Sequence, residues 1–120
     1  GIVIGYEIGR LLKKETIFCE RVDNKFLLRR DFKINKKLNV LVVEDVITTG
    51  KSSLECSELV LKAGGNIAGY ACIIDRSNGN SRIKEKIISQ VAINIPSYSK
   101  DDLPESLLKI KAIKPGSRGL

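Results

Sequence analysis

The alternation of hydrophobic and polar positions divides the chain into helical and extended segments. In residues 2–13, Ile4, Ile8 and Leu11 recur at the spacing of one helix face. A short apolar run such as Val40 to Val43 is typical of a buried strand. The predicted helices are residues 2–13, 52–63 and 82–89, and the predicted strands are residues 16–20, 40–45, 67–74, 91–95 and, at a sheet edge, 109–114.

The order strand, helix, strand across residues 40–74 predicts a right-handed parallel crossover. Ser52 and Glu55 have the spacing of a capping box at the start of the helix, and Gly64-Gly65 is a typical helix stop. A chain of 120 residues with 42% hydrophobic content is the size of one domain with one core. We therefore expect a single α/β domain built on an open sheet.

The segment from Val40 to Ser52 carries the most specific chemistry. Its strand ends on the adjacent carboxylates Glu44 and Asp45, and a Thr-Thr-Gly turn then leads into a helix. Backbone N–H groups at a helix N-terminus favour an anion such as phosphate. The two carboxylates instead suit ribose hydroxyls, or a magnesium ion reached through water. One sugar-phosphate ligand would satisfy both halves of the motif.

Two other interpretations of this segment are weaker. Gly50-Lys51-Ser52 matches the end of a nucleotide-binding loop, but Asp45 stands where that loop has its first Gly and would repel the phosphates. A plain strand end followed by a helix cap explains the carboxylates and the hydroxyls separately. It does not explain why they occur together.

Residues 40–52 resemble the phosphoribosyl pyrophosphate (PRPP) signature of the type I phosphoribosyltransferases. The surrounding segments are more similar to orotate phosphoribosyltransferases than to other members, namely residues 1–12, 16–21, 66–79 and Lys114 to Arg118. The resemblance implies a Rossmann-like α/β fold, with an open and mainly parallel sheet and flanking helices. It also implies transfer of ribose 5-phosphate from PRPP to orotate, giving orotidine 5-monophosphate and pyrophosphate in UMP synthesis.

The chain contains no Met and begins at Gly1. The resemblance begins well inside the family's sequence, after its N-terminal hood and one phosphate-binding loop. We therefore expect residues 1–120 to be the C-terminal part of a longer protein, one phosphoribosyltransferase domain that is incomplete at its N-terminus. We expect this part to be inactive by itself.

The resemblance assigns PRPP to the signature. Glu44 and Asp45 are directed at the ribose hydroxyls, and Asp45 stabilises positive charge that develops on the ribose during transfer. Magnesium is the implied cofactor, bound mainly through PRPP, with no direct protein ligand and with water-mediated contact to these two carboxylates. The implied PRPP-binding residues here are Glu44, Asp45, Val46, Ile47, Thr48, Thr49, Gly50, Lys51 and Ser52.

Residues 21–37, the basic segment, are predicted as a long loop. The resemblance implies a mobile loop shared between the subunits of a homodimer, in which Arg21 and Lys25 contact pyrophosphate and act in catalysis with Asp45. Val22 departs from members that have Lys there, and which cation is essential stays open. A solvated basic loop is the alternative. The cations are Arg21, Lys25, Arg29, Arg30, Lys33, Lys36 and Lys37.

Asp75-Arg76 follows another predicted strand, and parallel strand ends meet at one crevice. The planar guanidinium of Arg76 can pair with a carboxylate through two hydrogen bonds. The resemblance assigns orotate to Arg76, together with Thr48. A surface pair between Asp75 and Arg76 is the alternative.

The bulk composition narrows the function classes. A net charge of +7 favours anionic partners, but no nucleic-acid-reading motif accompanies it, and no apolar run could span a membrane. The lack of His excludes Ser–His and Cys–His catalysis. Cys19, Cys56 and Cys72 form no metal motif and fit a reducing cytoplasm.

Two alternatives to transfer onto orotate stay open. They are a phosphoribosyltransferase for another base and a non-catalytic regulator that binds a nucleotide and RNA.

Overall fold

The computed structural model describes residues 1–23, 25–99, 101–111 and 113. None of the helices in this part of the chain is long and apolar enough to cross a membrane. The Lys114 to Arg118 motif lies outside the described residues. The elements are α1 (Ile2–Leu12), β1 (Cys19–Val22), β2 (Lys25–Leu28), β3 (Asn39–Ile47), α2 (Lys51–Lys62), β4 (Asn66–Asp75), β5 (Ile87–Ala92) and α3 (Glu105–Leu108).

The central sheet has the order β3-β4-β5, and both of its strand pairs are parallel. The pairing of Ile47 with Asp75 brings the carboxyl ends of β3 and β4 to the same edge. Helix α1 packs on β3, and helix α2 packs on β3 and β4. Strands β1 and β2 form a separate antiparallel pair, the hairpin, and both of its strands contact α2. The predicted α/β architecture, with a parallel sheet and flanking helices, is confirmed.

The core lies between α2 and the sheet. It contains Val42, Ile47, Tyr70, Cys72 and Ile83, all of them buried. Apolar side chains from consecutive strands thus meet in one layer, and their removal from water is the main favourable contribution to folding.

Two hydroxyl groups are also buried in this interface. The Ser57 hydroxyl donates a hydrogen bond to the Ser53 carbonyl at 2.9 Å, and it lies 2.8 Å from the Tyr70 hydroxyl. Because the Ser57 proton is used within the helix, the Tyr70 hydroxyl is the donor of the second bond. Both buried hydroxyls are therefore satisfied, as burial of polar groups requires.

The sequence predicts the C-terminal end of α2 correctly and its N-terminal cap incorrectly. The predicted stop is confirmed, because Gly64 has φ of 86° and the Gly65 N–H bonds to the Val60 carbonyl. The predicted capping box is wrong. Gly50 is the N-cap, so Ser52 lies inside the first turn, and Glu55 pairs with Arg21 and Lys51 instead.

The hairpin differs from the strand and loop that the sequence predicts in the N-terminal third of the chain. The strand predicted at residues 16–20 begins at Cys19 and continues to Val22. The basic segment is not a loop throughout, because Lys25–Leu28 forms β2. The apolar residues Phe26 and Leu28 alternate with polar or exposed positions, which is a strand pattern too short to stand out among the charges.

The helix predicted at residues 82–89 is wrong. Residues 76–86 are irregular, Ile83 is buried in the core, and β5 begins at Ile87 rather than at residue 91. Parallel pairing with β4 supplies hydrogen-bond partners for the backbone of Ile87–Ala92. This pairing with a distant segment outweighs the helical spacing of the apolar residues. The edge strand predicted at 109–114 is also absent from residues 109–111 and 113, which the structure describes.

Candidate functional site

A cavity of about 260 Å³ lies where β3 ends and α2 begins. It is formed by a continuous stretch of chain, the last part of β3, the strand-to-helix turn (residues 48–50) and the first turn of α2. The nine residues of the signature that are implied to bind PRPP, 44–52, all line this one cavity. The lining residues are Glu44, Asp45, Val46, Ile47, Thr48, Thr49, Gly50, Lys51, Ser52 and Ser53.

The strand-to-helix turn presents the positive end of α2 to the cavity. Gly50 is the N-cap of α2, with φ of 76°. Because glycine has no side chain, it supplies no capping oxygen to the helix. The Thr49 hydroxyl lies 3.4 Å from the Lys51 N–H, which is a long contact. The first N–H groups of a helix have no partner within the helix, and together with the dipole they favour an anion. This end of the cavity suits a phosphate group.

Residues that follow β4 hold this turn in place. The Arg76 N–H bonds to the Ile47 carbonyl at 2.8 Å, and the Arg82 N–H bonds to the Thr49 carbonyl at 2.9 Å. The buried Ile83 side chain also packs close to Gly50. This support is not predicted from the sequence. Its one signal is the isolated apolar Ile83 within a charged stretch, and that residue falls in the helix predicted at 82–89.

The two carboxylates line the β3 end of the cavity. The Gly1 α-amino nitrogen lies 3.7 Å from Glu44 Oε2 and 3.5 Å from Asp45 Oδ1. The side chain of Asp45 is 67% exposed, whereas that of Glu44 is 23% exposed. This end of the cavity therefore attracts positive charge and presents hydrogen-bond acceptors.

The pKa of Asp45 is lowered by its surroundings. Burial acts to raise it, but the hydrogen bond from the Val46 N–H at 3.0 Å and the Gly1 ammonium outweigh that effect. The Gly1 contribution applies only where Gly1 carries the free amino group. The bond from the Val46 N–H is built into the strand end and favours the ionised form of Asp45.

No group of three or more His, Cys, Asp or Glu in the described part of the chain could hold a metal ion. Glu44 and Asp45 are two adjacent carboxylates on one strand end. This donor set fits a magnesium ion that takes most of its ligands from a phosphate substrate and water. It does not fit a dedicated protein cage.

The hairpin brings Arg21 close to the start of α2. The Arg21 guanidinium pairs with Glu55 and lies 4.3 Å from the centre of the Phe26 ring. Lys51 Nζ is 3.8 Å from the same Glu55 carboxylate. Arg21 is therefore about one helical turn from the anion end of the cavity, although it does not line it. Lys25 is exposed at the start of β2, opposite Val22.

Arg29 and Arg30 are held by a different carboxylate. Arg30 Nη2 donates to Glu20 at 2.8 Å, and Arg29 Nη1 lies 3.4 Å from its other oxygen. The hydrogen bond from Arg30 is the main reason that the pKa of Glu20 is lowered. The Arg30 guanidinium also lies 5.7 Å from the Phe18 ring centre. This part of the basic segment is folded back onto β1.

Arg76 lies at the same sheet edge as the strand-to-helix turn. Its neighbour Asp75 accepts a hydrogen bond from the Ser77 N–H at 2.8 Å. No ion pair joins Asp75 to Arg76 within the described residues. The Arg76 residue is exposed, and its backbone bond to Ile47 fixes where its side chain begins.

The chain matches no family model. It is similar to curated orotate phosphoribosyltransferases along almost its whole length. The relative from Parvibaculum lavamentivorans is 45% identical over 98% of this chain, and that from Sphingopyxis alaskensis is 48% identical over 100% of it. The relative from Maricaulis maris is 44% identical over 100% of it. The chain spans 61–62% of the length of these relatives.

Two solved structures share the fold. Adenine phosphoribosyltransferase from Leishmania tarentolae superposes with a TM-score of 0.62 at 17% identity, covering 77% of this chain and 57% of that protein. The Leishmania donovani enzyme gives a TM-score of 0.55 at 20% identity, covering 100% and 61%.

The chain therefore has the fold of the type I phosphoribosyltransferases. Within that class, its sequence is similar to the orotate phosphoribosyltransferases, so the resemblance drawn from residues 40–52 and their surroundings is confirmed.

The turn geometry gives a first prediction. A Cβ at Gly50 would lie 2.6 Å from Ser81 Oγ and 2.8 Å from Ile83 Cγ1, whereas a Cβ at Gly79 would meet nothing within 4 Å, and both residues have φ of 76°. In the full-length protein, Gly79→Ala should cost about 1–2 kcal/mol for the left-handed backbone alone. Gly50→Ala should cost on the order of 1–3 kcal/mol more because of the added steric conflict.

Urea unfolding of both variants beside the wild-type protein measures this difference. Gly79→Ala is the matched control, since it shares the backbone angle without the contact. Equal losses of unfolding free energy would show that residues 81–83 do not support the turn.

Proposed function

We propose that the full-length protein is an orotate phosphoribosyltransferase, which transfers the ribose 5-phosphate of PRPP to orotate and releases pyrophosphate. One observation carries the proposal. A single cavity combines a helix N-terminus suited to phosphate with a carboxylate pair suited to ribose, in a chain 44–48% identical to proteins of that name. Neither a plain helix cap nor a nucleotide-binding loop accounts for both ends.

The proposed binding mode follows the two ends of the cavity. The 5-phosphate of PRPP accepts hydrogen bonds from the amides and hydroxyls of Thr48, Thr49 and Ser52. Glu44 and Asp45 accept hydrogen bonds from the ribose hydroxyls. As pyrophosphate leaves C1, the ribose gains positive charge, and Asp45 stabilises it as an ionised carboxylate. Catalysis then consists mainly of positioning and of electrostatic stabilisation.

Magnesium is part of the proposal as the cofactor. Its chemistry would be to neutralise the phosphate oxygens of PRPP and of the departing pyrophosphate. Glu44 and Asp45 would hold it through water, since magnesium commonly keeps several waters and takes one or two carboxylates.

The hairpin supplies cations to the leaving pyrophosphate in this proposal. Arg21 is held beside Glu55, one turn from the anion end of the cavity, and Lys25 is exposed beside it. We propose that this basic segment serves the active site of the partner subunit in a homodimer. Its closure over the substrates would exclude the water that hydrolyses PRPP.

Arg76 and Thr48 are the proposed contacts to orotate. Arg76 begins at the sheet edge beside the strand-to-helix turn, and Asp75 is already bonded to the Ser77 N–H. A guanidinium in that place can pair with the orotate carboxylate. We also propose a cytoplasmic location, because the three cysteines are free thiols and such thiols are typical of reducing compartments.

The function is tested by spectrophotometry on the full-length protein. Orotate absorbance should fall when PRPP and magnesium are both present, and it should stay constant when magnesium is chelated. Turnover of a different base alone would assign the protein to that base. Binding of pyrimidine nucleotide or RNA without any turnover would favour the regulator on the same fold.

The role of Asp45 gives a separate prediction. Asp45→Asn keeps the side-chain shape but removes the charge, so kcat should fall on the order of 10²-fold with a smaller change in KM, as for loss of one transition-state contact. Steady-state kinetics in the orotate assay measure both parameters. Asp102→Asn, at an exposed carboxylate of the C-terminal segment, is the control and should behave as wild type. Unchanged kinetics for Asp45→Asn would place the active site elsewhere.

Arg76 separates base recognition from phosphate recognition. Arg76→Ala should weaken orotate binding by about 2–5 kcal/mol, the usual cost of unpairing a desolvated carboxylate, and PRPP binding little. Arg76→Lys should weaken orotate binding by an intermediate amount, since it keeps the positive charge and loses the planar guanidinium. Arg10→Ala, which removes an exposed pair with Glu7, is the control. Isothermal titration with each ligand decides the matter, and equal weakening of both ligands would indicate a structural role.

A further inference from the structure

Two of the three cysteines lie side by side although they are distant in sequence. Cys19 is the first residue of β1 and Cys56 lies within α2, and their Sγ atoms are 3.4 Å apart. A disulfide bond has a length of about 2.05 Å, so the sulfurs need to approach by only about 1.4 Å. Cys72, by contrast, is buried in the core, where the residue is 4% exposed.

A second contact fixes the same two elements against each other. The ion pair of Arg21 with Glu55 joins the residue two places after Cys19 to the residue just before Cys56. Both cysteines are partly accessible, so a small reagent in solvent can reach them, unlike Cys72. The pair is therefore close, held and reachable, which are the conditions for thiol–disulfide chemistry.

The two thiols differ in acidity. The pKa of Cys19 is lowered chiefly by its hydrogen bond with the Cys56 thiol, although burial opposes this. The same hydrogen bond, followed by burial, raises the pKa of Cys56. Because the thiolate is the nucleophile, Cys19 is suited to attack first and Cys56 to resolve.

We propose that Cys19 and Cys56 form a reversible intramolecular disulfide with a low-molecular-weight disulfide as the oxidant. The Cys19 thiolate attacks one sulfur of the reagent, which breaks the reagent's S–S bond and releases one thiol. Cys56 then loses its proton and attacks the mixed disulfide at Cys19, which releases the second thiol. The two cysteines give up two electrons and two protons, and the reagent is reduced to two thiols.

The bond would fasten the hairpin to α2. Arg21 would then stay beside Glu55, and Lys25 would stay on a hairpin whose first strand is anchored. This consequence rests on the proposed function, in which the basic segment must move to the pyrophosphate. The oxidised protein should therefore lose most of its turnover, and a reducing agent should restore it.

Peptide mapping tests the disulfide independently of activity. Reduced full-length protein is incubated with oxidised glutathione, remaining thiols are alkylated, and the digest is examined by mass spectrometry. The expected product is a Cys19–Cys56 linked peptide within one chain, lighter by two hydrogen atoms than its reduced parts. Cys72→Ser should form the same product, whereas Cys56→Ser should stop at a glutathione adduct on Cys19.

Several results would overturn the proposal. Absence of the linked peptide in wild-type protein, a link between two chains, or glutathione adducts spread over all three cysteines would each exclude the intramolecular pair. A linked peptide with undiminished turnover would exclude the restraint of the hairpin. If the reduced protein has no activity on orotate, the proposed function fails, and the mapping still decides whether the disulfide forms.

Discussion

The parallel pairing of β3 with β4 determines where the carboxylate pair, the strand-to-helix turn and Arg76 lie. In this register Ile47 faces Asp75, so both strands end at one edge and the chain leaves them in the same direction. The bond from the Arg76 N–H to the Ile47 carbonyl closes that edge by joining the first residue beyond β4 to the last residue of β3. A shift of the pairing would separate the carboxylates from the guanidinium.

The positions that the sequence predicted well are those set by nearby residues. Residues 40–45 and 67–74 are apolar runs bounded by polar groups, and Gly64 marks the helix end between them, so local patterns were sufficient for the centre of the fold. The nine implied PRPP-binding residues, 44–52, are contiguous, and they span one strand end and the turn that follows it. Their joint position in the cavity was therefore accessible from sequence.

The features that the sequence did not predict depend on partners far along the chain. Glu55 has the spacing of a capping residue, but its partner Arg21 lies 34 residues away and no local pattern indicates that pair. Ile87 and Ile88 fit a helix or a strand equally well, and pairing with β4 decides between them. The proximity of Cys19 and Cys56 likewise arises only when the hairpin contacts α2.

The basic segment shows how a strongly cationic stretch can adopt a defined structure. Its arginines form ion pairs with Glu20 and Glu55, and these pairs offset the repulsion between the arginines. Stacking on Phe18 and Phe26 adds a preference for a particular orientation. An anionic ligand that recruits these arginines therefore has to replace existing carboxylate partners, and part of its binding free energy is used in that exchange.

The hydrogen bond between Tyr70 and Ser57 has a further consequence for how α2 sits on the sheet. Apolar packing tolerates small sliding movements, because one methyl group can replace another at little cost. A directional bond between two buried hydroxyls does not, since a shift of one residue along the helix would leave the Tyr70 hydroxyl without its acceptor, at about 1–3 kcal/mol. This bond therefore fixes the position of α2 along the sheet. It sets how far the N-terminus of α2 extends toward the cavity, although Ser57 lies about two turns away from that N-terminus.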